Sequence, residues 1–277
     1  MCQLAESGFR FRYVLSTCLY GDGRIEQILP EVRKTGAEFI DVWPKNFGGQ
    51  REQMDEIGLE KTAALLKQHK VRIGVLSRYD LGPFGLEPEL KVARAFRCQT
   101  IVCGARGPRG LAGAELKATV REFAESMKPH IAAASEAGVT IGIENHGSAL
   151  IEHPDSLKWL VEFTPPGLGI ALAPYHLDQD PAAIARLIRE LGNRIVFFYA
   201  WQHGKGLSKE LTNEQVLEQL PGRGPMDFRP VAGALKQVGY AGWVAVYMHT
   251  VPGGKPIRES THLVTAEVER ARKYFER

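Results

Sequence analysis

Apolar, β-rich runs recur along the chain, and each is followed by a stretch with the spacing of an amphipathic helix. Eight runs stand out: 11–19 (FRYVLSTCL), 37–43 (AEFIDVW), 72–79 (RIGVLSRY), 100–105 (TIVCGA), 140–146 (TIGIENH), 168–176 (LGIALAPYH), 194–202 (RIVFFYAWQ) and 242–249 (GWVAVYMH). Between them lie segments such as RIEQILPEVRKTG, in which Ile25, Ile28, Leu29 and Val32 fall on one helical face. Another is ELKATVREFAESMKPHIAAASEAG, closed by Gly138. Short strands alternating with helices make βα units and a parallel sheet. Eight such units in 277 residues predict the α/β class and one closed (β/α)8 barrel. No Pro/Ser-rich linker, low-complexity tract or charge block divides the chain, so 1–277 reads as a single domain. An open doubly wound sheet is the alternative, but no GxGxxG follows the first run to support it. The widest break in the rhythm, 203–226, predicts a long loop after the seventh strand.

In such a barrel the C-terminal strand ends and the loops after them build the active-site mouth. The fifth run ends in Glu144, Asn145 and His146, and the other ends supply Trp43 and Lys45, Arg78 and Tyr79, Tyr175 and His176, Tyr199, Gln202 and His203, and Tyr247 and His249. Aromatic faces stack on the apolar sides of sugar rings. Trp43, Tyr79, Asn145, Tyr199, Gln202 and Tyr247 are therefore the candidate substrate-binding residues, while Trp159 and Trp243 read as packing. Glu144, His176 and His203 are the candidate acid–base groups. His146 directly follows Asn145, and strand alternation expects it on the opposite side.

Four segments carry a family likeness: IGIENHG (141–147), HPDSLKWLVE (153–162), GIALAPYHL (169–177) and PGRGPMDFRPVAGALKQVGYAGWVAVY (221–247). With them the chain resembles the xylose-isomerase-like TIM-barrel superfamily, the sugar phosphate isomerases and epimerases, which also include endonuclease IV. The resemblance implies a divalent metal held by Glu on strand five, Asp on six, His on seven and Glu on eight. Only Glu144 matches; the other positions fall on Ala173, Tyr199 and Tyr247, and the Asp that commonly ends strand seven falls on Gln202. Alanine has no donor atom and a phenol is a poor ligand at neutral pH. The family metal site thus reads as degenerate. Two outcomes stay open: no metal, or one ion on a rebuilt set of Glu144, His176 and His203, with His249 within reach, suiting zinc, iron or nickel better than magnesium. The resemblance also makes Asp227 the cap of the last major helix.

The function implied is isomerisation or epimerisation of a sugar or polyol, with Glu144 exchanging the proton beside a carbonyl and His176 or His203 assisting. The alternatives are a metal-independent sugar lyase or hydrolase-like enzyme, and a non-catalytic sugar-binding barrel or partner subunit.

Composition narrows the partners. The chain is 44% hydrophobic and 24% charged, with a net charge of +3 and basic residues spread out, which is not the footprint of a nucleic-acid binder. A DNA-repair enzyme with a trinuclear site is further disfavoured by a total of eight histidines. No stretch approaches the roughly 18 apolar residues of a membrane span, and the first residues lack an apolar leader core, so a cytoplasmic protein is expected. Cys2, Cys18, Cys98 and Cys103 form no CxxC pair, which fits reduced, buried thiols. A small sugar or polyol is the expected partner, and a homo-oligomer is compatible with the sequence.

Overall fold

The computed structural model describes residues 8–249 and 255–277. Eight strands pair in parallel and in chain order: β1 (Arg12–Ser16), β2 (Phe39–Val42), β3 (Arg72–Ser77), β4 (Thr100–Gly104), β5 (Thr140–Glu144), β6 (Leu168–Leu172), β7 (Ile195–Ala200) and β8 (Trp243–Val246). β8 pairs back onto β1, with Arg12 beside Trp243 and Tyr13 beside Val244, and closes the barrel. The strands are buried on both faces, inward against the barrel interior and outward against helices, which is why they read as nearly continuous apolar runs.

Every predicted run contains a strand, and every strand is shorter than its run. The chain leaves the ladder early at the C-terminal ends: Thr17–Tyr20 and Pro174–His176 are single turns of 3-10 helix. Pro174 has no amide hydrogen to give a ladder. The apolar residues beyond each strand pack on one another across the mouth instead.

Ile25, Ile28, Leu29 and Val32 are all buried as expected, but the helix tightens from α (Ile25–Ile28) to 3-10 (Leu29–Thr35) at Pro30. The helix Gly113–Glu136 ends before Gly138, whose φ of 71° lets the chain turn into β5. The helix after Asp227 is Arg229–Gln237. It is followed by Thr261–Phe275, so Asp227 does not open the last helix. Asp227 accepts from the Arg229 amide at 3.0 Å and pairs with the Arg229 side chain.

The long segment after β7 is pinned by two buried glutamines. Gln202 donates Nε2 to the Leu220 carbonyl (2.9 Å) and accepts from the Met226 amide (2.8 Å). Gln219 accepts from Trp201 Nε1 (3.0 Å) and the His249 amide (3.2 Å), and donates to the carbonyls of Gly206 and Val216. Cys18, Cys98 and Cys103 are buried thiols, and Cys2 lies outside the described residues. Among the described residues no helix is long and apolar enough to cross a membrane.

Candidate functional site

The mouth is built in two layers. In the inner layer Glu144 closes β5 and is 4% exposed. Burial pushes its carboxyl up to about 8, the nearby Tyr79 hydroxyl opposing the rise by favouring the charged form. Tyr79 and Tyr199 share a hydroxyl hydrogen bond of 2.7 Å. Trp43 lies nearly parallel to Tyr79 (centroids 5.3 Å, 23°) and to Tyr247 (5.3 Å, 16°). Burial, and then the Glu144 charge, drives the Tyr79 and Tyr199 phenols well above their ordinary range, so both keep their protons.

In the outer layer Tyr175 stacks on Trp201 (4.0 Å, 12°), with His176 and His203 beside it at 4.8 and 5.0 Å. His146 packs on His176 at 4.1 Å, and His249 stands edge-on to Trp201 at 4.6 Å. Ligand atoms of His146, His176 and His249 all lie within 4.8 Å of one another. Burial, reinforced by the neighbouring histidines, pushes His176 down to about 3 and His249 to about 4. Both rings are neutral at pH 7. A cleft of about 610 Å³ opens on this layer between the loops after β5, β6 and β7, lined by Tyr175, His176, His203, Lys158, Arg186 and Glu152 among others. Its volume falls in the ordinary range for small-molecule sites.

Several expected site residues have other duties. Asn145 is fully buried; its Nδ2 donates to the Ala173 carbonyl (3.0 Å) and its Oδ1 accepts from the Ala173 amide (2.7 Å). It is a strut between the ends of β5 and β6, and its complete burial leaves its amide no open face for a substrate. Gln202 is likewise spent on the 203–226 loop. Trp43, Tyr199 and Tyr247 are buried in the inner layer, where the Tyr247 ring packs on both of the others at 5.3 and 5.1 Å. His146 lies with His176, contrary to the alternation argument, because β5 ends at Glu144 and the alternation stops there. His203 is exposed on the cleft wall, its amide held by Gln179 Oε1 at 2.8 Å. The rebuilt metal set of Glu144, His176 and His203 is therefore not assembled; His176 is grouped with His146 and His249 instead.

The residues at the positions where the resemblance places the family's divalent ion offer it few donors. Ala173 offers no donor, Tyr199 is hydrogen-bonded to Tyr79, and the phenols of Tyr199 and Tyr247 are held protonated by burial. A single carboxylate is left, and hard-ion sites need several oxygen ligands.

Sequence reasoning passed over Asp41. This carboxyl, fully buried in β2, accepts from Ser16 (3.0 Å), Ser77 (2.8 Å) and Trp43 Nε1 (2.5 Å). Burial pushes it up to about 7, those three donors opposing the rise. The available signal was an acidic residue in the middle of the apolar run FIDV, with a serine in the runs on either side. Nearby, Arg51 and Arg78 converge on Glu89, all three buried, and Arg78 also pairs with Asp80 at 2.7 Å.

Comparison with solved structures gives the same architecture. The chain aligns with the IOLI protein solved with a bound zinc atom at a TM-score of 0.72 and 14% identity, covering 96% of this chain and all of that one. D-psicose 3-epimerase from Clostridium cellulolyticum H10 aligns at 0.72 and 13%, covering 96% and 98%. L-ribulose 3-epimerase aligns at 0.68 and 14%, covering 96% and 97%. At these identities the likeness is one of fold. No curated protein matches the chain in sequence. The family model described as xylose isomerase-like TIM barrel matches residues 29–267, nearly the whole of the closed barrel, and the chain belongs to that family.

Proposed function

We propose that the chain is an isomerase or epimerase of a sugar or polyol-derived carbonyl compound, working with a degenerate form of the family metal site. The observation that carries this reading is Glu144, a protected carboxyl at the strand-five end of the mouth, set among the aromatic side chains of the inner layer. A group that titrates near 8 is matched to proton exchange at neutral pH, because a base is most effective when its pKa lies near the working pH. Its carboxylate removes the proton from the carbon beside the substrate carbonyl, and the carboxylic acid returns one. The Tyr79 and Tyr199 hydroxyls, which keep their protons, donate to the oxygen on which charge develops. His176, His203 and Lys158 on the cleft wall bind substrate hydroxyls. Fold-level likeness to two sugar 3-epimerases supports the substrate class.

Glu144 is 4% exposed, so contact with a substrate requires the side chains around it to part. That closure favours a second reading, a barrel that binds a sugar in the outer cleft without turning it over. The test is a panel of aldoses and ketoses incubated with the protein in D2O and followed by NMR. Deuterium entering the carbon beside the carbonyl, and lost in Glu144→Gln with stability unchanged to within about 1 kcal/mol, is the expected result. Saturable sugar binding with no exchange by the wild-type protein selects the binding barrel.

A further inference from the structure

We propose that His146, His176 and His249 form a transition-metal site on the outer rim of the mouth, separate from the residues that align with the family's usual ligands. The three side chains come from the loops after β5, β6 and β8. Their ligand atoms already lie within 4.8 Å of one another. A tetrahedral zinc ion with Zn–N bonds of about 2.0–2.1 Å sets its ligand nitrogens roughly 3.4 Å apart. The remaining closure is of the size that side-chain rotation supplies.

The hydrogen bonding around the rings is that of ligands held ready. His176 Nε2 and His249 Nδ1 are buried with no hydrogen-bond partner among the described residues. Buried polar atoms without partners are few in native proteins, and each asks for an explanation. Here two of them belong to the same three-residue group. His146 supplies the complementary detail. Its Nδ1 lies 2.8 Å from the Gly147 carbonyl, which can only accept, so the proton sits on Nδ1 and the lone pair on Nε2. A carbonyl fixing the tautomer in this way is a usual outer support of a metal-binding histidine. Gln219 holds the His249 main chain, and the Asn145 strut holds Ala173 at the start of the turn that carries His176.

The donor set selects the ion. Three imidazoles with no carboxylate or thiolate suit Zn²⁺, Co²⁺, Ni²⁺ or Cu²⁺ and are poor for Mg²⁺, Mn²⁺ or Ca²⁺. Three protein ligands leave a fourth position open, the arrangement of reactive rather than structural zinc sites. His176 also lines the cleft, so that position faces an oxygen-bearing small molecule or water. Only this last step rests on the mouth being a small-molecule site.

The experiment uses the full chain, stripped with a chelator and titrated with Co²⁺ and then Zn²⁺ by calorimetry and visible absorption, with no sugar present. A single saturable site per chain is expected, with the intense d–d bands of low-coordinate Co²⁺ abolished by Zn²⁺. His146→Ala and His249→Ala should each weaken binding by more than about a hundredfold, since loss even of an outer supporting partner costs 10–100-fold. His146 is exposed, so its variant keeps the fold, and a melting curve confirms that for both. Affinity should stand unchanged in His262→Ala, a surface histidine, and in Glu144→Gln. No saturable site, or one whose affinity survives both His146→Ala and His249→Ala, overturns the proposal. Because no substrate is involved, failure of deuterium exchange leaves this result untouched, and the reverse also holds.

Discussion

The two sides of the barrel bury titratable groups in opposite ways. Around β1, β2 and β3, Asp41 takes three donors and Glu89 sits between two arginines, so these two buried carboxylates are well partnered, although Tyr13 Oη and Glu26 Oε2 nearby have no hydrogen-bond partner. Around β5, β6 and β8, two buried imidazole nitrogens have none. A saturated polar network rigidifies a structure, whereas unsatisfied atoms cost stability and persist when something else uses them. The first side therefore reads as the frame of the mouth and the second as its working edge.

The contrast breaks most readily at Glu89. Glu89→Ala leaves Arg51 and Arg78 facing each other in a buried site, and we expect a loss of about 3–5 kcal/mol in urea unfolding. A loss below about 1 kcal/mol means that the network is not holding the frame.

Asp41→Asn is the intermediate case. The amide cannot accept from all three donors, so a loss of about 1–3 kcal/mol is expected at pH 4. The wild-type carboxyl keeps its proton to about pH 7 when folded but sheds it near pH 4 when unfolded. Its contribution to stability therefore falls as pH rises from about 4 to 7 and stays low above that. Its electrostatic neighbours Cys18, Cys98, Tyr199 and Tyr247 hold their protons throughout that window. The gap between variant and wild type should narrow steadily over that range, and a constant gap refutes the assignment.

The smallest effect belongs to the working edge. His249→Leu replaces a half-buried imidazole whose buried Nδ1 has no partner with a hydrocarbon, and the metal-free protein should be unchanged or more stable by up to about 1 kcal/mol. A loss of 2 kcal/mol or more places His249 in the frame after all and erases the contrast.

The barrel was legible because each strand is buried on both faces and leaves an apolar run. The strand ends were less so, since Trp43, Tyr175 and Tyr247 continue those runs without belonging to the sheet. Glu144 and His176 stood out by position. His146 did not, because a period-two rule applied one residue past the last ladder pair assigns the wrong side. Asn145 and Gln202 looked like substrate contacts because both amides stand at the rim. Where the two ends of an amide bond is settled by loops that are distant in sequence, here Ala173 in one case and Leu220 and Met226 in the other.

Gln219 carries a lesson for anyone who would re-engineer this scaffold. Its one amide joins the loop after β7 to the main chain of His249 after β8, so these loops are not interchangeable cassettes. A transplant of 203–226 from another barrel would bring its own contacts and abandon that joint, and position 249 would lose its anchor although no residue near it had been altered. Grafts on this barrel should take the two loops as one piece, or retain a glutamine at 219.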